Sequence, residues 1–203
     1  MSSKHIVRSY DEELGLLKAS VLEMGKLSHR QLSRALETVL SRDSSEAEAI
    51  MADDAPINAL QEAIDQLTLI MLAKRQPMAL DLRIIVSGLK MASDLERIAD
   101  YSANMARHSM ELNSVDLQKP VQAIIAMTEN AKAMLSDVMI AYENSDPELA
   151  RKVWHADEKI DKAYSGLLSD LRAFMNKNAE HVKPFTAILF VGRSRYVAEN
   201  KTK

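Results

Sequence analysis

Apolar side chains in this chain recur at steps of three and four over stretches too long for strands. Leu14, Leu17, Val21, Met24 and then Leu27 or Ser28, continuing through Ala35 to Val39, form a first stripe. A period near 3.6 places such residues on one face of an α-helix. A second stripe, Ile50, Ile57, Leu60, Ile64, Leu67 and Met71, predicts a helix from about 44 to 74, with Asp43 and Glu46 at capping-box spacing and a kink at Pro56. After Pro77 a third runs from about Met78 to Glu111 on Leu80, Ile84, Met91, Leu95, Ile98 and Met105. Three long antiparallel helices bury such stripes against one another as a bundle.

The pattern breaks over 113–119 and then begins again with Val121, Ile124, Thr128, Ala131, Leu135, Val138 and Tyr142. Asp146-Pro147-Glu148 is a helix start, with a capping aspartate, proline at the first helical position and an acid in the first turn. It opens a helix on Val153, Ile160, Tyr164, Leu167, Leu171 and Phe174, and Pro184 to about Asn200 supplies a sixth, shorter one. One shift of 103 residues carries Asp43 onto Asp146, Ala47 onto Ala150, Asp54 onto Asp157, Ile57 onto Ile160 and Asn58 onto Asp161. We read an internal duplication. The expected fold is all-α: two tandem, pseudo-symmetric three-helix bundles over 1–113 and 114–203, the second truncated at its last helix. The alternatives are a single bundle without duplication, since helical sequences self-align easily, and one large domain built from both units.

Composition agrees with helix. Five glycines, five prolines and 4% aromatic residues leave few breakers, while 47% hydrophobic residues fill a core. The absence of cysteine excludes disulfides, thiolate metal sites and a cysteine nucleophile, and it suits a reducing compartment. No run approaches 18 apolar residues, and no apolar signal core follows Lys4 and Arg8, so a cytoplasmic protein is expected. A net charge of -3 argues against general nucleic-acid binding. Between Asp43 and Asp65 stand seven acids and no Lys or Arg, most simply a solvated helix face.

Two of those acids sit where the core stripe should continue. Between Ile50 and Ile57 the intermediate position is Asp53 or Asp54, and Asp157 stands likewise between Val153 and Ile160. A carboxylate on a packing stripe is costly unless it reaches solvent, a cation or a metal. Asn58 and Asp161 follow one turn on, so each repeat presents two oxygen-bearing side chains at i and i+4. On the third helix Glu96, Asp100 and Asn104 add another ladder of the same step. Like charges so spaced repel, and a bound cation would reverse this; a local partner such as Arg97 or Lys90, or plain solvation, would also serve. Oxygen ligands alone do not choose the ion. Gly88 and Ala92, two turns and one turn before Glu96, would let a neighbouring helix come close.

Catalytic constellations are lacking. His5, His29, His108, His155 and His181 include no pair at i, i+4, and there is neither a glycine-rich phosphate loop nor a nucleophile elbow. His155 lies near Asp157 and Asp161, although a surface histidine is the plainer reading. No enzymatic activity is expected.

The run Lys74-Arg75-Gln76-Pro77-Met78-Ala79-Leu80-Asp81-Leu82-Arg83, then Leu89-Lys90 and Asp94-Leu95-Glu96-Arg97-Ile98-Ala99-Asp100, resembles the signature of the PhoU family of phosphate-transport regulators, as does the opening Asp11-Glu12-Glu13-Leu14 with Met24-Gly25. The resemblance covers most of the chain. It implies two tandem three-helix bundles and a cytoplasmic negative regulator of phosphate uptake and phosphate-starvation signalling. Such a regulator is an adaptor between the ATPase subunit of the phosphate ABC transporter and a phosphate-sensing histidine kinase, reaching the membrane only through these partners. It also implies metal sites of Fe, Mn, Mg or Zn on Asp54, Asn58, Glu96, Asp100 and Asn104 in the first repeat and on Asp157 and Asp161 in the second.

Two departures qualify the likeness. Asn58 stands where the family usually has a carboxylate, which lowers the charge of that site. At the tail, Phe190-Val191-Gly192-Arg193 continues as Ser194-Arg195-Tyr196-Val197-Ala198-Glu199-Asn200, so Tyr196 and Asn200 replace the second repeat's glutamate and aspartate. With the shift of 103 instead, Glu199 meets Glu96 but Lys203 meets Asp100. A shortened sixth helix would leave apolar surface uncovered and favour a homodimer or another partner. A metal-binding, buffering or metal-dependent hydrolytic helical protein is the competing expectation.

Overall fold

The structure, a computed structural model, describes the backbone of residues 2–41, 43, 45–112 and 118–175, with side chains over 9–41, 43, 45–109, 121–156 and 162–170. All regular elements among them are helices: α1 (Ser2–Ser41), α2 (Ala47–Ala52), α3 (Asp54–Arg75), α4 (Leu80–Leu112), α5 (Gln118–Asn144) and α6 (Pro147–Met175). The sixth helix expected from 184 to 200 and the divergent tail lie outside the described residues.

The second predicted helix is two helices. Its break falls at Asp53 rather than as a kink at Pro56. A proline ring collides with the carbonyl four residues back, here Ala52, so a continuous helix would fail there. Ending α2 at Ala52 and restarting at Asp54 puts Pro56 in a first turn, where no intrahelical partner for its missing N–H is needed. The expected capping box is also replaced: Asp43 Oδ1 accepts from the Ser45 N–H at 2.9 Å, and Glu46 makes no side-chain cap. At α6 the predicted cap forms, with Asp146 Oδ1 accepting from the N–H groups of Glu148 and Leu149 at 2.9 and 3.0 Å.

Helix α1 is the spine. Its buried residues Leu17, Val21, Met24, Leu32 and Ala35 belong to one continuous core with Ile50, Ile57, Ile64 and Met71 of α2 and α3, Ile85, Leu95 and Met105 of α4, and Ile124 and Leu135 of α5. Each fully buried Leu, Ile or Met contributes roughly 1.5–3 kcal/mol. The position left open between Leu27 and Ser28 goes to Ser28, whose buried hydroxyl donates toward the carbonyls of Met24 and Leu95 at 2.9 and 3.1 Å.

Helix α4 runs parallel to α1: Gly88 faces Leu17, and Ser28 meets Leu95. A Cβ on Gly88 would come within 3.3 Å of the Leu17 side chain, so the close approach expected at Gly88 is made by α1. The α4 stripe differs from prediction at its start. Leu80 and Ile84 are 67% and 40% exposed, while Ile85 is fully buried. The buried face follows Ile85, Gly88, Ala92, Leu95, Ala99 and Ser102. Small residues hold four of these six positions, and a reading guided by large apolar side chains steps off the face by one position.

Helix α5 runs antiparallel to α1. Lys18 Nζ donates to the Glu143 carbonyl at 2.6 Å, near the α5 C-terminus, where a cation also suits the helix dipole. Seven residues along α1, buried Gly25 receives the side chain of Met139. Helix α6 packs back on α5.

Candidate metal centre

The break before α3 presents two successive aspartates with different surroundings. Asp53 forms an ion pair with Arg34 of α1, and the other guanidinium nitrogen of Arg34 reaches Glu46 at 3.0 Å. The stretch of acids without a local cation therefore receives one from a neighbouring helix. Its only hint in the sequence is the lack of any Lys or Arg between 43 and 65.

Asp54 turns instead to Asn58, whose Nδ2 donates to Asp54 Oδ2 at 3.0 Å. The remaining oxygens, Asp54 Oδ1 and Asn58 Oδ1, are buried and accept no hydrogen bond. Leaving a buried acceptor unsatisfied costs about 1–3 kcal/mol, more for a charged one. On α4 the half-buried Glu96 carboxyl titrates above the usual carboxylate range, mainly through burial, then through the charges of Asp100 and Asp54, with Arg97 opposing. The charge of Asp54 on α3 thus bears on the Glu96 carboxyl of α4, so the seam between α3 and α4 holds concentrated negative charge.

The remaining members are less engaged. Asp100 is exposed. Asn104 Nδ2 donates to the Asp100 carbonyl at 2.9 Å, and its Oδ1 accepts from Arg107 Nη1 at 3.1 Å, so its amide is already committed. Among the described residues, no three His, Asp or Glu side chains converge closely enough to hold one ion. The donors fit a hard cation nonetheless: Asp54, Asn58 and Glu96 offer only oxygen, and two of those oxygens lack a donor.

In the second repeat Asp157 and Asp161 lie on α6, but their side chains are outside the described set. His155 is exposed, its ring 5.5 Å from that of Trp154.

A second polar cluster, absent from the sequence reading as a contact, ties the α3–α4 turn to α1. Arg75 Nε and Nη2 donate to the two carboxylate oxygens of Glu13 at 3.0 and 2.9 Å, and Nη2 also donates to Ser9 Oγ at 2.8 Å. These bonds hold the Glu13 carboxyl below its ordinary range. Next to them the Tyr10 hydroxyl is buried, and burial, then the nearby Asp81 carboxylate, raise its pKa.

The family model for the PhoU domain matches residues 21–109 and 124–194, two stretches that open 103 residues apart. The chain belongs to the PhoU family. It is 34% identical over 190 residues to a phosphate-specific transport system accessory protein PhoU homolog of Xylella fastidiosa, covering 94% of this chain and 80% of that one. To the accessory protein PhoU of Escherichia coli it is 30% identical, over 95% of this chain and 80% of the other. The crystal structure of PhoU from Pseudomonas aeruginosa superposes with a TM-score of 0.87 at 28% identity, covering 94% of this chain and 95% of that one. The phosphate transport system regulatory protein PhoU of Streptococcus pneumoniae gives 0.83 at 29%, with 94% and 92% covered. Membership in the PhoU family thus accords with the all-α fold, and no helix among the described residues is long and apolar enough to cross a membrane.

Proposed function

We propose that the chain is an accessory regulator of phosphate-specific transport that works by binding rather than by turnover. It restrains phosphate uptake and phosphate-starvation signalling as an adaptor between the ATPase subunit of a phosphate ABC transporter and a sensor histidine kinase, at the cytoplasmic side. The observation that carries this reading is the likeness along nearly the whole chain, in sequence and in fold, to proteins named for that transport system. An adaptor needs shaped helical faces and no reacting group.

A cation held by Asp54, Asn58 and Glu96, with Asp100 at its edge and Asn104 beyond, would join α3 to α4 and offset their repulsion. Asp157 and Asp161 would contribute to an equivalent site in the second unit. We further propose that the chain acts as a homodimer, with 1–113 and 114–203 as its two units.

Co-purification with the purified ATPase subunit and with the cytoplasmic portion of the kinase tests the adaptor role. Retention of either partner at physiological salt supports it; failure of folded protein to retain both removes it.

A further inference from the structure

We propose that the turn between α3 and α4, with Met78 and Leu80 at its tip, is a docking knob for a partner protein that offers an apolar pocket bordered by carboxylates. The inference rests on the adaptor reading above and adds the surface and the chemistry of its complement.

Met78 is 81% exposed, and Leu80, Leu82 and Ile84 follow it within seven residues, all exposed. Four large apolar side chains on one short segment are more than the scattered apolar residues of an ordinary surface. The segment is also held in shape. Gln76 and Ala79 both adopt left-handed backbone conformations, φ 47°, without being glycine. The Gln76 N–H is tied to the Leu72 carbonyl at 3.3 Å, and the N–H groups of Asp81 and Arg83 to the carbonyls of Met78 and Ala79 at 3.2 Å. Arg75 anchors the base of the turn to Glu13. Strained backbone kept in place by several independent tethers is characteristic of recognition sites, where a preformed shape reduces the ordering cost of binding.

Charge selects the occupant. Arg75 is neutralised by Glu13, whereas Lys74 and Arg83, both exposed, take part in no ion pair among the described residues. The knob therefore presents methionine and leucine between two cations, which complements an apolar pocket with acidic edges. An anionic bilayer is a poorer match. Electrostatic membrane attachment draws on about 4–8 clustered basic residues, and here two stand beside the Asp81 carboxylate. A fluid surface would also gain nothing from a fixed turn.

The test is binding of the full chain to the purified phosphate ABC transporter of its source organism in nanodiscs, with empty phosphatidylglycerol nanodiscs in parallel. Met78→Glu and Leu80→Glu should each weaken binding at least about tenfold. The double substitution Lys74→Glu, Arg83→Glu should weaken it and flatten its salt dependence, and Leu40→Glu, on the exposed far end of α1, should change nothing. Because Met78 and Leu80 are exposed, melting curves should match wild type; Met78→Ser serves as a milder variant if they do not. Wild-type binding that survives all the tip substitutions overturns the knob and leaves the adaptor role intact. Absence of wild-type binding to both transporter and kinase removes the adaptor role itself. Tip-dependent binding to the empty nanodiscs overturns the protein partner in favour of lipid.

Discussion

Arg75, the last residue of α3, grips Glu13 of α1 at two points, with Nε and Nη2 each on a separate carboxylate oxygen. The grip favours the ionised form of Glu13, so its folded pKa lies below the unfolded value. Its contribution to stability is then fully present above the unfolded pKa, about 4.3, and is lost as pH falls through the lower, folded one. The stability gap between wild type and Glu13→Gln should accordingly be widest near neutrality and close in acid. Urea melts across that range measure it, and a gap independent of pH would sink the assignment. Arg75→Lys should fail to restore the contact, since an ammonium cannot bridge both oxygens in parallel.

A Cβ on Gly25 would stand 2.5 Å from Met139 Cε and 2.9 Å from its Cγ. Overpacking of this kind typically costs 1–3 kcal/mol, whereas replacing a helical glycine by alanine gains about 1 kcal/mol of helix propensity. Gly25→Ala should therefore destabilise by roughly 1 kcal/mol in the wild-type background. In Met139→Ala, where the obstacle is gone, the same change should stabilise by about 1 kcal/mol. Denaturant midpoints of the four proteins decide it; the same sign in both backgrounds would show that α1 and α5 do not meet here as described.

If Asp54, Asn58 and Glu96 hold a cation, folded and unfolded chains differ in affinity for it. An ion present at a hundred times its Kd then adds about 2.7 kcal/mol to stability. Thermal melts with Mg, Mn, Zn or ferric ion against a chelated sample should show the rise. Glu96→Gln should abolish it while raising the melting temperature of the chelated protein, because a crowded, partly buried charge is removed. Equal melting with and without every ion would remove the site.

Ala79 holds a left-handed backbone that costs an L-residue roughly 1–2 kcal/mol. Glycine adopts it without that penalty but loses more freedom on folding, so Ala79→Gly should stabilise by roughly 0.5 kcal/mol. Chemical denaturation reads the difference. A clear loss of stability would mean that the methyl group packs against something essential.

Much of the fold was legible because large apolar residues mark the core of α1, α3 and α5, and because Asp146 and Pro147 announce a helix start. The register of α4 was less so. Its buried face passes through Gly88, Ala92 and Ser102, which fit there through their size and not through hydrophobicity. The break at Asp53 was visible only as Pro56, since where a helix yields upstream of a proline depends on tertiary packing. At the candidate centre, spacing brought out Asp54, Asn58, Glu96 and Asp100, and the charges of Asp100 and Asp54 both bear on the Glu96 carboxyl. Spacing could not reveal that Asp53 belongs to Arg34 or that Asn104 is occupied by Arg107. Both are contacts of side-chain direction, and periodicity carries none of that.

The position of α1 also has a consequence in time. Lys18 finds its carbonyl on Glu143, 125 residues later in the chain, so α1 waits for α5 to be made before its second face is covered. Contacts that distant are slow to close. Helices α1 to α4 have the means to assemble early, but the α5-facing groove around Gly25 stays open to solvent until α5 has been made. That interval is when nascent copies of this chain would be most exposed to chaperones and to one another.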